Sequence, residues 1–330
     1  MRGTADSSQF IEKALTFWLN YSLSKQVKGM NKLYRQKWLI AFALPGFLFF
    51  LVFSYFPMYG IVISFQDFDV FKGVFRSDFV GFDNFKTLFD MPDFNNALRN
   101  TILISALKLI LLFPATVVFA LLINEISTGW FRKFVQTTSY LPYFVSWVIA
   151  AGIWYKLLSI DGGVVNDLLV SLGILKEPFH FMADKDAFYP IILFTEAWKN
   201  MGFSAIIFIA SLSAIDVQQY EAAKMDGANR FRQIWHISLP GIKNTIVLMF
   251  ILNASNLLRA GQDQMWTMSN VTVQQQAEIL DTLVLRYLKD MGLMGYSIGT
   301  AMGIFQAFIG LVLFIVCNYL AKAAKSDSIL

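Results

Sequence analysis

Apolar residues in this chain come in long unbroken runs, not in the alternating or three-to-four spacing of soluble domains. Runs of at least about 18 apolar residues mark membrane-spanning helices. Six stretches fit: 38–65, 98–124, 134–158, 190–213, 242–263 and 297–321. Several carry proline (Pro45, Pro57, Pro114, Pro142), which membrane helices tolerate where neighbouring groups satisfy the freed carbonyls. The stretch 190–213 is the least apolar, holding Glu196 and Lys199. The pattern predicts an all-α membrane protein with six transmembrane helices.

Two polar segments interrupt this scheme. In 1–37, Phe10, Ile11, Ala14, Leu15, Trp18 and Tyr21 recur at helical spacing, with Lys13, Lys25 and Lys28 elsewhere. An interfacial amphipathic helix on the inner leaflet is expected there, with a disordered tail as the alternative. The stretch lacks the apolar core and cleavage site of a secretory signal. The second interruption, 214–241, holds "SAIDVQQYEAAKMDGANRFRQIWHISLPG" from Ser213 onward. Asp216 can cap a helix, with Gln219 three residues on. Gly227 can supply its left-handed end. A second short helix follows, and Pro240 suits the first turn of the next span. Two short helices at an angle on the cytoplasmic face are expected, either as an ordinary amphipathic loop or as a knob for a partner.

Composition agrees with the membrane reading. Of the 330 residues, 56% are hydrophobic and 15% charged, against about 25% charged in soluble domains. The single cysteine, Cys317, excludes a disulfide framework, and His180 and His236 are too far apart to suggest a metal site. A formal charge of +4 is too small to argue for nucleic acid. Lysine and arginine are more numerous in 1–37, 125–133, 214–243 and 322–330 than in the intervening loops. The positive-inside rule therefore puts both termini in the cytoplasm.

Ionisable and amide side chains at membrane depth are the candidate chemistry. At about 1.5 Å rise per residue, Lys108, Lys199, Asn253, Asn256 and Gln306 fall about 12–17 Å below the outer ends of their helices. Glu196 lies one turn above Lys199, and Trp198 and Asn200 flank it. Four spans thus place hydrogen-bonding groups in one shell, with the rings of Trp154, Tyr155 and Trp198 nearby. Polar side chains also glue membrane helices together, and Glu196 and Lys199 are spaced to pair along one helix. Two lysines against one acid would leave an unpaired positive charge, which favours an acidic cargo unless Lys108 binds backbone carbonyls at the Pro114 kink or pairs with an acid of a partner subunit.

The polar segment 214–241 carries a recognisable pattern. Glu221-Ala222-Ala223, three residues, Gly227, nine residues, Ile237, one residue and Leu239-Pro240 resembles the EAA signature of ABC-importer membrane subunits. The stretches "NTILISALKLILLFPATVVFALLINE", "YLPYFVSWVIAAGI" and "EILDTLVLRYL" look like carbohydrate-type permeases, closest to the LplB-like branch importing polysaccharide and alginate fragments. The resemblance implies a type I ABC importer permease fold over 38–330. It also implies coupling to an ATPase through Glu221, Ala222, Ala223, Asp226, Gly227, Leu239 and Pro240. The partners implied are a second homologous permease, two cytoplasmic ABC ATPase subunits and an extracytoplasmic solute-binding protein, in an inner membrane. The chain has no G-x-x-x-x-G-K-[ST] phosphate cradle, so ATP and Mg would be bound by the ATPase. It would be a transport subunit, not an enzyme. The rival is an ion-coupled secondary sugar carrier, which leaves the EAA pattern unexplained. A membrane-embedded enzyme lacks any supporting cluster.

Overall fold

The computed structural model describes residues 37–127, 129–290 and 293–323. The amphipathic helix expected within 1–37 lies outside the described residues. The chain divides at Gly60 into two units. In the first, α1 (Lys37–Phe50) leads into a π turn, Leu51–Tyr55. The helical run continues as a 3-10 helix to Phe65, so that 29 residues form one apolar segment.

The second unit opens with a small ladder, β1 (Gln66–Asp67) antiparallel to β2 (Asp78–Phe79), the one departure from an all-helical chain among the described residues. The short helix α2 (Asp83–Asp90) follows. The second span is continuous over Pro92–Asn124, built from α3 (Pro92–Leu107), a π turn at Lys108–Leu112 and α4 (Phe113–Asn124). The fourth span, α8, runs Lys185–Ser213, and the last, α14, runs Leu293–Ala323. Asp184 fixes the start of α8 by accepting from the amides of Asp186 and Ala187 at 2.9 and 2.7 Å.

The π turns share a cause. Proline has no amide hydrogen, and its ring collides with the carbonyl four residues back. Each π turn ends two residues before a proline: Tyr55 before Pro57, Leu112 before Pro114, Ser238 before Pro240. In each, the residue preceding the proline donates to a carbonyl five residues back, as Phe113 does to Lys108. The widened turn makes room for the ring without a break.

Two of the six expected spans are not continuous helices. The stretch 134–158 divides into α5 (Gly129–Tyr140), a 3-10 turn Leu141–Phe144 and α6 (Trp147–Leu157). Pro142 opens the turn, Val145 is extended, and Ser146 caps α6 by accepting from the Ile149 amide. The stretch 242–263 holds only α11 (Lys243–Ser255), at 13 residues too short to cross a hydrocarbon core of about 30 Å. The side chains of Asn253, Ser255 and Asn256 bond back to the carbonyls of Met249 and Leu252. Such bonds compete with helix continuation.

Beyond α11 the chain turns inward. Helices α12 (Gln262–Met268) and α13 (Leu280–Asp290) fall mostly in a region expected to be an outer loop. Met265, Met268, Ile279, Leu280 and Leu283 are nevertheless fully buried. They build two of three cores, one with Ile104, Ala151 and Ile192, the other with Leu88, Phe94, Ala97 and Met302. The third core joins α4 to α8 through Val117, Ala120, Ala205, Phe208 and Leu212. Between α6 and α8 lies the short α7 (Val164–Ser171).

Candidate transport cavity and coupling segment

A cavity of about 840 Å³ opens between the π turn of the second span, α8, α11 and the turn after α11. Its volume falls within the range of small-molecule sites, about 300–1,000 Å³. Lys108, Glu196, Asn200, Asn253 and Asn256 all line it. Five of the eight path candidates therefore meet.

The charged pair at its wall is held from distant parts of the chain. Lys108 Nζ donates to Glu196 Oε2 at 3.1 Å, to the Ala260 carbonyl at 2.8 Å and to Gln264 Oε1 at 2.7 Å. An ammonium has three donors, so all are used. Asn200 donates to the other Glu196 oxygen at 2.7 Å. Gln264, fully buried, is itself fixed by donating to the Ile192 carbonyl and Thr195 Oγ1. Gly261, at φ +100°, passes so close that an added Cβ would sit 3.0 Å from Lys108 Nζ. A larger residue there would crowd the ammonium. Tyr143 and Phe203, stacked with centroids 3.7 Å apart, add an aromatic wall.

Three expected path residues do not line the cavity. Lys199 is buried and donates to the Tyr143 carbonyl at 2.8 Å, with the Tyr143 and Trp147 rings 5.3 and 5.5 Å away. It joins α8 to the break between α5 and α6, and forms no ion pair with Glu196. Trp198 meets Trp154 edge-on at 5.4 Å. Gln306 bridges the Leu258 carbonyl and Asp281 Oδ1. The expectation that Lys108 and Lys199 together leave an uncompensated charge in the path fails, because Lys108 is saturated and Lys199 faces elsewhere. The lining does include Arg259, which the depth argument missed. The signal for it was its place three residues beyond Asn256, repeating the Asn253–Asn256 interval.

The segment 214–241 folds from local rules. Helix α9 (Val217–Met225) starts at Asp216, whose carboxylate accepts from the Gln218 amide at 3.0 Å, so its cap needs no reciprocal bond from Gln219. It ends on Gly227 at φ +76°. Ala228 N donates to the Ala223 carbonyl and Gly227 N to that of Lys224, the paired closure of a Schellman motif. Asn229 then caps α10 (Arg230–Gln233). The second helix continues through its π turn to Gly241, where the axis bends by 60° into α11. Pro240 thus lies in the last turn before the bend and not in the first turn of the next span.

Glu221, Ala222, Asp226 and Gly227 are exposed, and neither acid has an ion-pair partner among the described residues. Leu239 turns inward onto the α4–α8 core. Arg230 donates to the Glu125 carbonyl at the end of α4 at 3.0 Å, and Tyr220 bonds Ser238 at 2.9 Å. Among the described residues no cluster of metal-ligating side chains occurs.

Comparison with known proteins bears on the family and the fold. The model of the family described as "Binding-protein-dependent transport system inner membrane component" matches residues 112–326. Protein LplB of Bacillus subtilis (strain 168) is 41% identical over 305 residues, 92% of this chain and 95% of the relative. The polygalacturonan/rhamnogalacturonan transport system permease protein YteP of the same organism is 42% identical, covering 94% and 95%. A crystal structure of a bacterial alginate ABC transporter, in complex with alginate pentasaccharide-bound periplasmic protein, contains a similar chain. That chain matches with a TM-score of 0.81 and 33% identity, over 91% of this chain and 99% of its own length.

Proposed function

Because the chain belongs to the binding-protein-dependent transport system inner membrane component family, we propose that it is one of two permease subunits in an ATP-driven importer of acidic oligosaccharide. The observation that carries the path is the convergence of Lys108, Glu196, Asn200, Asn253 and Asn256 on one cavity beside stacked aromatic rings. Sugars need that combination of hydrogen-bonding groups and ring faces. The acidic cargo is supported by the relatives, since polygalacturonan and alginate are both polyuronates.

Two cytoplasmic ATPase subunits bind ATP and Mg in this reading, and an extracytoplasmic binding protein delivers the cargo. The second permease is a homologue of this chain. The ATPase grips the face bearing Glu221, Ala222, Ala223, Asp226 and Gly227. Movement of α9 passes through Arg230 to the end of α4, and through the bend at Ile242 to α11. Both helices carry cavity residues, Thr116 and Asn253, so closure of the ATPases rocks the cavity walls as rigid bodies.

The test is uptake by the four-subunit transporter in proteoliposomes supplied with its binding protein. Uronate oligosaccharides should enter only with ATP inside. Entry driven by an ion gradient without ATP would support the secondary carrier, and no entry of any uronate oligosaccharide would remove the acidic cargo. The same reading places both termini in the cytoplasm. With Cys317 replaced, single cysteines at Val80 and Leu175 should react with an impermeant thiol reagent on intact cells, and one at Arg230 should not. The reverse pattern would invert the topology.

A further inference from the structure

One charged group in the cavity has no role in the account above. Arg259 lines the cavity from the turn after α11 and is exposed. Its guanidinium makes no hydrogen bond or ion pair among the described residues. The other two charges of the lining, Lys108 and Glu196, neutralise each other at 3.1 Å. Of the three charged groups in the lining, Arg259 is therefore the one without a direct ion-pair partner among the described residues.

The carboxyl group of Asp281 feels Arg259, but the two form no ion pair among the described residues. Burial pushes the Asp281 carboxyl above the usual carboxylate range, against the opposing influence of the Gln306 hydrogen bond and of Arg259 itself. Its Oδ1 is also engaged by Gln306 at 3.2 Å. Next to Arg259, the side-chain amides of Asn253 and Asn256 each spend one N–H on a helix carbonyl, Met249 and Leu252 respectively. Their amide oxygens are left to accept bonds from hydroxyl groups.

We propose that Arg259 is the specificity-determining residue of the cavity, pairing with a sugar carboxylate while Asn253 and Asn256 accept from neighbouring hydroxyls. The planar guanidinium presents parallel donors that match a carboxylate in a two-point pair. A lysine in its place would keep the charge and lose the fork. This inference rests on the cavity being the route of the cargo.

The complete transporter in lipid nanodiscs, without binding protein, allows the cavity to be titrated directly. The probes are an oligogalacturonide and its carboxyl-reduced, uncharged counterpart of equal length. The unmodified transporter should bind the acidic chain more tightly. Arg259→Gln should weaken the acidic chain by about tenfold to a hundredfold, the equivalent of one charge-assisted bond, and leave the neutral chain within twofold, so that the preference disappears. Arg259→Lys should restore part of it. Assembled complex recovered by gel filtration normalises each variant. Equal weakening of both chains would mean that Arg259 is structural or pairs with an acid of the second permease, and would overturn the proposal; so would no change in either. If the unmodified transporter bound the acidic chain no better than the neutral one, the inference about Arg259 would fail. ATP-driven uptake of uronates would still stand as the independent measure of the underlying reading.

Discussion

The coupling segment and the cavity are both polar interruptions of an apolar chain, and they are held together in opposite ways. Between Asp216 and Gly241 nearly every fixing bond is local, such as Asp216 to Gln218, Ala228 to Ala223 and Asn229 to Arg232. In the cavity, Lys108 reaches partners 88, 152 and 156 residues away. Local closure leaves the segment's outer face free for another protein. Non-local closure makes the cavity wall a junction of four parts of the chain, so that moving any one of them changes the wall.

The comparison breaks most visibly at the coupling segment. Glu221→Lys alters an exposed side chain without a partner among the described residues, so folding and insertion should be unaffected. Reversing a charge in a docked pair costs about 2–5 kcal/mol, enough to bring uptake to background and release the ATPase during purification. Gly227→Val should act in the same direction by a different route. A side chain at φ +76° costs about 1–2 kcal/mol, more when branched, and opens the helix end. Uptake persisting in the double variant would show that this face does not couple the engine.

The same contrast decides what was legible in the sequence. The Asp216 cap and the glycine-ended helix follow from residues a few positions apart and are legible, whereas the Asn229 cap was not identified from the sequence. Five cavity residues were also legible, because rise along a helix sets depth whichever neighbours surround it. Orientation around the helix axis is not set that way, and Lys199, Trp198 and Gln306 share the depth of the cavity while facing other contacts. The breaks at Val145 and Asn256 were missed because averaged hydropathy does not register a serine cap or an asparagine bonding back to its own helix. Arg259 was missed for a related reason. It lies within the stretch 242–263 expected to be one span, whereas the helix ends at Ser255 and Arg259 sits in the turn beyond it.

The half-buried Lys108 and the buried Lys199 make a second contrast. Lys108→Met leaves Glu196 with Asn200 alone and strips a donor from the Ala260 carbonyl and Gln264. The pair is mostly buried, with side-chain exposures of 16% and 20%. Removing one member of such a pair costs about 3–5 kcal/mol. The purified transporter should therefore lose thermal stability clearly, and Glu196→Gln added to Lys108→Met should return part of it, because the orphaned charge is gone. An unchanged melting temperature for Lys108→Met would show that the junction at the cavity wall carries no stability.

Lys199→Met is the other half of that comparison and should have the smallest effect. The substitution gives up one charge-assisted bond to the Tyr143 carbonyl, worth about 1.5–3 kcal/mol. It also gives up contacts to two ring faces, worth about 0.5–1 kcal/mol each where exposed and more when desolvated. Against this, it removes a lone cation from a membrane span, which insertion scales put at about 2.5–3.5 kcal/mol. Methionine fills a similar volume and suits the space between Tyr143 and Trp147. The opposing contributions nearly cancel, so stability should stay within about 1 kcal/mol of the unmodified transporter. Uptake of acidic and neutral oligosaccharides should change by the same factor, since Lys199 faces the break between α5 and α6 and not the cavity. Selective loss of acidic uptake in Lys199→Met would put its charge back in the path and contradict the assignment of that role to Arg259.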